Sequence, residues 1–240
     1  MSRNFELLEQ IEKEFVSPAA NNGRRPDRIP AGEFVAPERG AAVASDDLIQ
    51  LVQSVFLPTT GKAYHQVVFC GIEKANSSSA VCAHAGQTLA ANTAERVCLV
   101  DAARGSSGLS GLFGVPGHSD DGDGQEQSVQ VARNLWLVSS PAATSAGILR
   151  SATELTKKLV QLRREFGFVL IDAQGCTVGP EATLLGKLSD AAILVIEADA
   201  TRRAAAAKAK QDIEAAGIPL AGTVLHNRSF PIPKSLYERL

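Results

Sequence analysis

Six short apolar runs recur along the chain: "QVVFCG" at 66–71, "RVCLVD" at 96–101, "LWLVSS" at 135–140, "FVLID" at 168–172, "AAILVIEA" at 191–198 and "LAGTVLH" at 220–226. Most are apolar at successive positions instead of alternating. A strand of that kind buries both of its faces, which predicts a parallel sheet covered by helices on either side. The intervening segments supply those helices, expected over 79–91, 152–166, 180–188 and 201–216, with a short one in the closing "IPKSLYERL". A long loop is expected between the second and third runs, with the acidic, glycine-rich "SDDGDGQE" at its far end. The fold class that follows is α/β, a doubly wound, mostly parallel sheet flanked by helices.

The chain is expected to divide into three parts. Residues 1–16 place Phe5, Leu7, Leu8, Ile11 and Phe15 on one face of an amphipathic helix that Ser2 can cap. Residues 17–44 carry Pro18, Pro26, Pro30 and Pro37 among Asn, Gly and Arg, and read as a flexible linker. Residues 45–240 form the main domain, opening on a helix that starts at Ser45-Asp46-Asp47, with acidic residues in its first turn. The apolar face of the first helix needs cover. That cover is either its own protomer or a partner protein.

Composition narrows the function classes. With 240 residues, 45% hydrophobic and 21% charged, the chain suits one main globular domain. A formal net charge of −2 offers no bulk footprint for nucleic acid. No apolar run is long enough to cross a bilayer, and the charged N-terminus is unlike a signal peptide, so a cytoplasmic location is expected. Cys70, Cys82, Cys98 and Cys176 form no CxxC pair, and His65, His84, His118 and His226 show no ligand spacing. The aspartates of Ser119 to Glu126 lack the terminal bidentate Glu of a calcium loop, so a solvated loop is expected. No GxSxG elbow points to a serine hydrolase.

In open α/β sheets, ligands bind beyond the carboxyl ends of the strands. Asp101 and Asp172 both close an apolar run there, and "FCGIEKANSSSAVCAHAG" leaves the first run at the same end. A strand, a loop and a helix that begins with serine form the layout of a phosphate-binding loop, although GxxxxGK[ST] is not matched.

The wider pattern resembles the CpsD/CapB family of bacterial tyrosine autokinases, relatives of the MinD and ParA ATPases. The resemblance runs through "MSRNFELLEQIEKEF", "VVFCGIEKANSSSAVCAHAGQTLAA", "RVCLVDAARGSSGLSGLFGVPG", "NLWLVSSP", "LRREFGFVLIDAQG" and "LSDAAILVIEADATRRAAAAKAKQDIEAAGIPLAGTVLHNRSFPIP". It implies a P-loop NTPase-like fold of MinD/ParA type and a place in exopolysaccharide or capsule assembly. The implied partner is a membrane-embedded polysaccharide chain-length determinant that recruits the protein to the inner face of the cell membrane. A second copy or an active paralogue is a further candidate partner. The implied cofactors are ATP and Mg²⁺. Ala75, Asn76, Ser77, Ser78 and Ser79 would form the phosphate loop, and Asn227 would contact adenine, unless His226 takes that register. Ser79, Asp101 and Asp172 would hold Mg²⁺, with the two aspartates catalytic.

The departures fall on the groups that handle phosphate. Ala75 and Ser77 stand where relatives have glycine, and Ser78 where they have lysine. Ala103 and Gly105 replace the second acid and the arginine of Asp-x-Asp-x-Arg, and Asp172-Ala173-Gln174 keeps only the aspartate of Asp-x-Pro. Lys74 lies close enough in sequence to swing in for the missing lysine, although an exposed loop lysine is the plainer reading. Only Tyr64 and Tyr237 are present, so the tyrosine-rich acceptor tail of the family is not expected. A degenerate, non-catalytic relative with weak or absent ATP and Mg²⁺ binding is the favoured reading. An active ATP-dependent tyrosine autokinase or ATPase with an unusual loop is the alternative.

Overall fold

The protein is described by a computed structural model over residues 45–72, 77–102, 108–115, 127–139, 152–173 and 180–227. The elements in chain order are α1 (Ser45–Val55), β1 (Gln66–Gly71), α2 (Ser77–Asn92), β2 (Val97–Asp101), α3 (Leu109–Leu112), β3 (Gln127–Ala132), β4 (Leu135–Ser139), α4 (Ala152–Glu165), β5 (Phe168–Ala173), α5 (Pro180–Lys187), β6 (Ala191–Glu197), α6 (Arg203–Ala215) and β7 (Leu220–His226). The strands form one seven-stranded sheet in the order β3-β4-β2-β5-β1-β6-β7. All neighbours run parallel except β3 and β4. No described helix is long and apolar enough to cross a membrane.

Alternation within each strand separates two cores. Val68, Cys70, Cys98, Val100, Val169 and Ile171 face α4, α5 and α6 through Leu155, Leu159, Leu185, Ala209 and Ile213. Val67, Phe69, Val97, Leu99, Phe168 and Leu170 face α1 and α2 through Val52, Phe56, Val81, Ala85 and Leu89. The cysteines Cys70, Cys82 and Cys98 are packing residues within these layers. The covered-on-both-sides sheet expected from the continuous apolar runs is therefore present.

Two elements differ from the sequence reading. The stretch "QSVQVA", expected as loop, is β3, paired antiparallel to β4 through the tight connection at Arg133-Asn134. It mixes polar and apolar residues because it is an edge strand with half-buried faces, whereas all the continuous apolar runs except β7, the opposite edge, are interior. The single turn α3 also lies inside the expected loop; it is short and rich in Gly and Ser, so it carries no helical period. Helix α2 starts at Ser77, not Ser79. The expected N-terminal helix 1–16, the linker 17–44, the stretch Ser119 to Glu126 and the closing "IPKSLYERL" lie outside the described residues.

The amino ends of the central strands are tied by Asp190, which accepts the backbone N–H groups of His65 and Gln66 at 2.9 Å each and Arg163 Nη1–H at 2.7 Å. Burial opposes its charge, but these donors prevail and hold the carboxyl below the usual carboxylate range.

Helix α2 lies close on the sheet because Gly86 has no side chain. A Cβ built there would stand 2.6 Å from Leu99 Cδ2, and Leu99 is fully buried. The Gly86→Val variant should overpack this contact and lower unfolding free energy by about 1–3 kcal/mol, read by urea denaturation. An unchanged midpoint would mean that α2 can lift from β2 without loss.

Candidate functional site

Asp101 and Asp172 are register partners on the adjacent strands β2 and β5. They are separated by roughly 4.8 Å, the spacing of neighbouring strands. Strand alternation turns both toward the face covered by α2: Leu99 and Leu170, two residues earlier in their strands, belong to that core. Both are buried, Asp101 at 6% and Asp172 at 0% exposure.

Each carboxylate is held through one oxygen. Asp172 Oδ2 accepts the hydroxyl of Ser79 at 2.5 Å. Asp101 Oδ2 accepts both the backbone N–H of Ser110 at 2.8 Å and its hydroxyl at 2.5 Å. The Oδ1 atoms of both aspartates are buried with no hydrogen-bond partner among the described residues. Burial drives the Asp172 carboxyl up from 3.8 to about 7; the Ser79 hydroxyl opposes this, the negative charge of Asp101 adds to it, and the Ser78 hydroxyl opposes it. Behind the pair, burial and then the charges of Asp172 and Asp101 push the Cys82 thiol well above its ordinary range, so it stays protonated.

The first turns of α2 supply the serines. Ser78 and Ser79 are both buried, at 5% and 3% exposure. Ser78 lies close enough to Asp172 for its hydroxyl to oppose the rise of that carboxyl. Ala75 and Asn76 lie outside the described residues, as do Lys74, Ala103, Gly105, Gln174 and the side chain of Ser77.

Asn227 lies at the other side of the sheet. It follows β7, four strands from Asp101 in the sheet order, roughly 19 Å away by strand spacing. Its backbone is left-handed, with φ 57°, and its Nδ2 donates to Glu197 Oε1 at 3.1 Å. His226 is buried beside it. Burial lowers His226; Glu197 raises it, and His84 on α2 lowers it further. Burial also lowers His84, against a hydrogen bond to the Ala80 backbone. Asp101, Asp172, Ser78 and Ser79 thus converge on one point, and Asn227 belongs to a second cluster with Glu197 and His226.

Two orphaned, buried carboxylate oxygens beside a serine hydroxyl suit a hard divalent cation such as Mg²⁺, which takes one or two carboxylates and completes its shell with water and phosphate oxygens. Ser79, Asp101 and Asp172 are the residues that would hold it. Among the described residues no three His, Cys, Asp or Glu side chains are grouped to hold a metal by themselves. Ser110 was not singled out by sequence. It lies nine residues beyond Asp101 in a stretch without periodicity, and only the chain's return over β2 brings it to the carboxylate.

No protein-family model matches the sequence, and no curated relative does. Solved structures do match the fold. The chimerical protein CapA2B2 superposes with a TM-score of 0.67 at 17% identity, over 92% of this chain and 99% of that one. The kinase domain of the Escherichia coli tyrosine kinase ETK gives 0.66 at 18% identity, over 94% and 90%. The MinD cell division protein of Aquifex aeolicus gives 0.54 at 16%, over 73% and 72%. The fold is therefore that of the bacterial tyrosine kinase domains and the MinD/ParA ATPases, as the resemblance implied.

The Asp172 carboxyl makes a pH prediction. Its pKa is raised on folding, so the stability tied to its neutral form is fully present below 3.8 and is lost as pH rises toward about 7. His84 and His226, both lowered, act oppositely, losing stability as pH falls below 6.5. Comparing Asp172→Asn with the parent at equal pH removes the histidine contribution. The variant should melt several degrees higher at pH 8, with the gain vanishing near pH 4. An equal or lower melting temperature at pH 8 would show that Asp172 is not a buried, penalised carboxylate.

Proposed function

We propose that this chain is a degenerate tyrosine-kinase-like P-loop protein of exopolysaccharide or capsule assembly that acts through protein contacts more than through catalysis. The fold shared with bacterial tyrosine kinase domains supports the family. The observation that carries the degeneracy is Ser78. Its side chain is a neutral hydroxyl turned onto Asp172, at the helix start where relatives bring an ammonium to the phosphates. Losing one charged hydrogen bond of that kind costs about 1.5–3 kcal/mol, roughly 10- to 100-fold in affinity. The alanine and serine at the glycine positions Ala75 and Ser77 add Cβ atoms where backbone N–H groups curl around phosphate.

A second reading has its own support. Asp101, Asp172 and Ser79 retain the cation-holding oxygens, which is what an active ATP-dependent tyrosine autokinase or ATPase with an unusual loop would keep. A bound Mg²⁺ would supply charge neutralisation to phosphate oxygens. The chain's own residues would orient it and exclude water. Calorimetric titration of ATP with and without Mg²⁺ separates the readings. Dissociation in the high micromolar range or weaker is expected; micromolar binding with steady hydrolysis would establish the second reading. The variant Ala75→Gly, Ser77→Gly, Ser78→Lys should tighten nucleotide binding on the same scaffold, and no gain would mean that the pocket has closed elsewhere.

The partner in this proposal is the cytoplasmic part of a membrane-embedded polysaccharide chain-length determinant, with a second copy or an active paralogue as the other candidate. Recruitment to the inner face of the membrane follows from that contact. The apolar positions Phe5, Leu8, Ile11 and Phe15, tethered by a Pro-containing linker, are the proposed docking element. Deleting residues 1–16 should leave thermal melting of the core unchanged and weaken pull-down of the membrane protein. Equal capture by the truncated chain would place the contact elsewhere, and loss of folding would assign the segment to the core.

A further inference from the structure

We infer that Ser110 is a positioning residue that orients Asp101 toward a divalent cation and couples the α3 turn to the carboxylate pair. The inference rests on the reading that Ser79, Asp101 and Asp172 hold such a cation. It adds a residue that neither the sequence motifs nor the comparisons assign.

The geometry is specific. Ser110 delivers two donors, its backbone N–H and its hydroxyl, to the same oxygen of Asp101, at 2.8 and 2.5 Å. Two donors on one carboxylate oxygen occupy both of its in-plane lone pairs. Oδ1 is then the one acceptor that Asp101 can offer, and it is buried without a partner among the described residues. Leaving such a group unsatisfied is costly, and a cation would relieve that cost.

Ser110 is itself rigidly placed. It is 1% exposed, and the preceding Leu109 is fully buried in the core between the sheet and α2. The Ser110 carbonyl accepts the N–H of Val115 at 2.9 Å, closing the turn behind it. Asp101 is fixed from its own side by the strand pairing to Asp172, and the next residue, Ala102, donates its N–H to the Asp172 carbonyl at 3.0 Å. A carboxylate clamped between a strand end and a buried turn has little freedom to rotate. Toward Asp101 Ser110 acts only as a donor and it carries no negative charge, so it does not replace the second acid whose position Ala103 takes; it sets which oxygen of the remaining acid faces the site. A charge change at Oδ1 must also alter the strength of the two bonds at Oδ2, so the α3 turn feels whether the pair is loaded.

The test uses the full chain and Mn²⁺ as a paramagnetic stand-in for Mg²⁺, with free Mn²⁺ followed by electron paramagnetic resonance and displacement by Mg²⁺ as the control. Partners that orient a metal-ligating group typically contribute 10- to 100-fold in affinity, so Ser110→Ala should weaken Mn²⁺ binding by about tenfold or more. Ser110→Thr keeps the hydroxyl and should restore most of it. In the parent protein, adding Mg²⁺ should change amide hydrogen exchange at Ser110, a readout independent of how the variants fold. Failure of the parent to bind Mn²⁺ would overturn the cation reading itself, and this inference with it. Parent binding that Ser110→Ala leaves unchanged, or that Ala and Thr weaken equally, would overturn the role of Ser110 while leaving the cation site standing. Unaltered exchange at Ser110 on loading would overturn the coupling to α3.

Discussion

The parallel register between β2 and β5 is the constraint on which the site depends. It sets Val97 against Phe168, and by the same step of one residue per pair it brings Asp101 level with Asp172. A slip of one position would turn one aspartate into the opposite core, against Leu155 and Leu159. The apolar residues that precede the two acids therefore place them. Leu99 and Leu170 cannot leave the α2-facing core, so the carboxylates two residues on must face the same side. Two like charges side by side in a dry layer are costly, and the serines at 79 and 110 recover part of that cost through charge-assisted hydrogen bonds.

That arrangement separates two jobs that a phosphate-handling site usually joins. The oxygens suited to a cation are present and preorganised. Among the described residues no lysine or arginine stands at the start of α2, where Ser78 and Ser79 lie buried beside Asp172. Asp172 is pushed toward its neutral form by burial and by its neighbour's charge. Fold likeness to kinase domains does not override these local electrostatics, because chemistry resides in the site.

Much of the fold was legible because interior parallel strands have a plain signature. Every continuous apolar run became a strand, and the two strand-end acids could be read as neighbours in kind before they were neighbours in space. The edge strand β3 was not legible, since "QSVQVA" mixes polar and apolar residues and contains two glutamines and a serine. The α3 turn is too short to show a period, and with it Ser110 stayed hidden: its contact with Asp101 depends on loop closure over nine residues, not on any motif. The tie between Asn227 and Glu197 was hidden for a related reason. It joins the ends of β6 and β7, and the left-handed backbone at Asn227 that permits it is a local strain not written in hydropathy.

The place of β1 in the sheet has a consequence for how the chain is made. β1 is an early strand, yet both of its neighbours, β5 and β6, come from residues 168–173 and 191–197. During synthesis "QVVFCG" leaves the ribosome roughly a hundred residues before either partner exists, apolar on both faces and with both edges open. Among the described strands only β3–β4 and β6–β7 pair with their neighbours in sequence. Folding must therefore wait on long-range closure, which slows it and lengthens the time during which a bare, double-sided apolar strand is open to the wrong partner. Helix α1, made before β1 and packed in the same core, is the first cover available to that strand, and the alanine-rich α2 is the next; docking of either would shield one face until the rest of the sheet arrives.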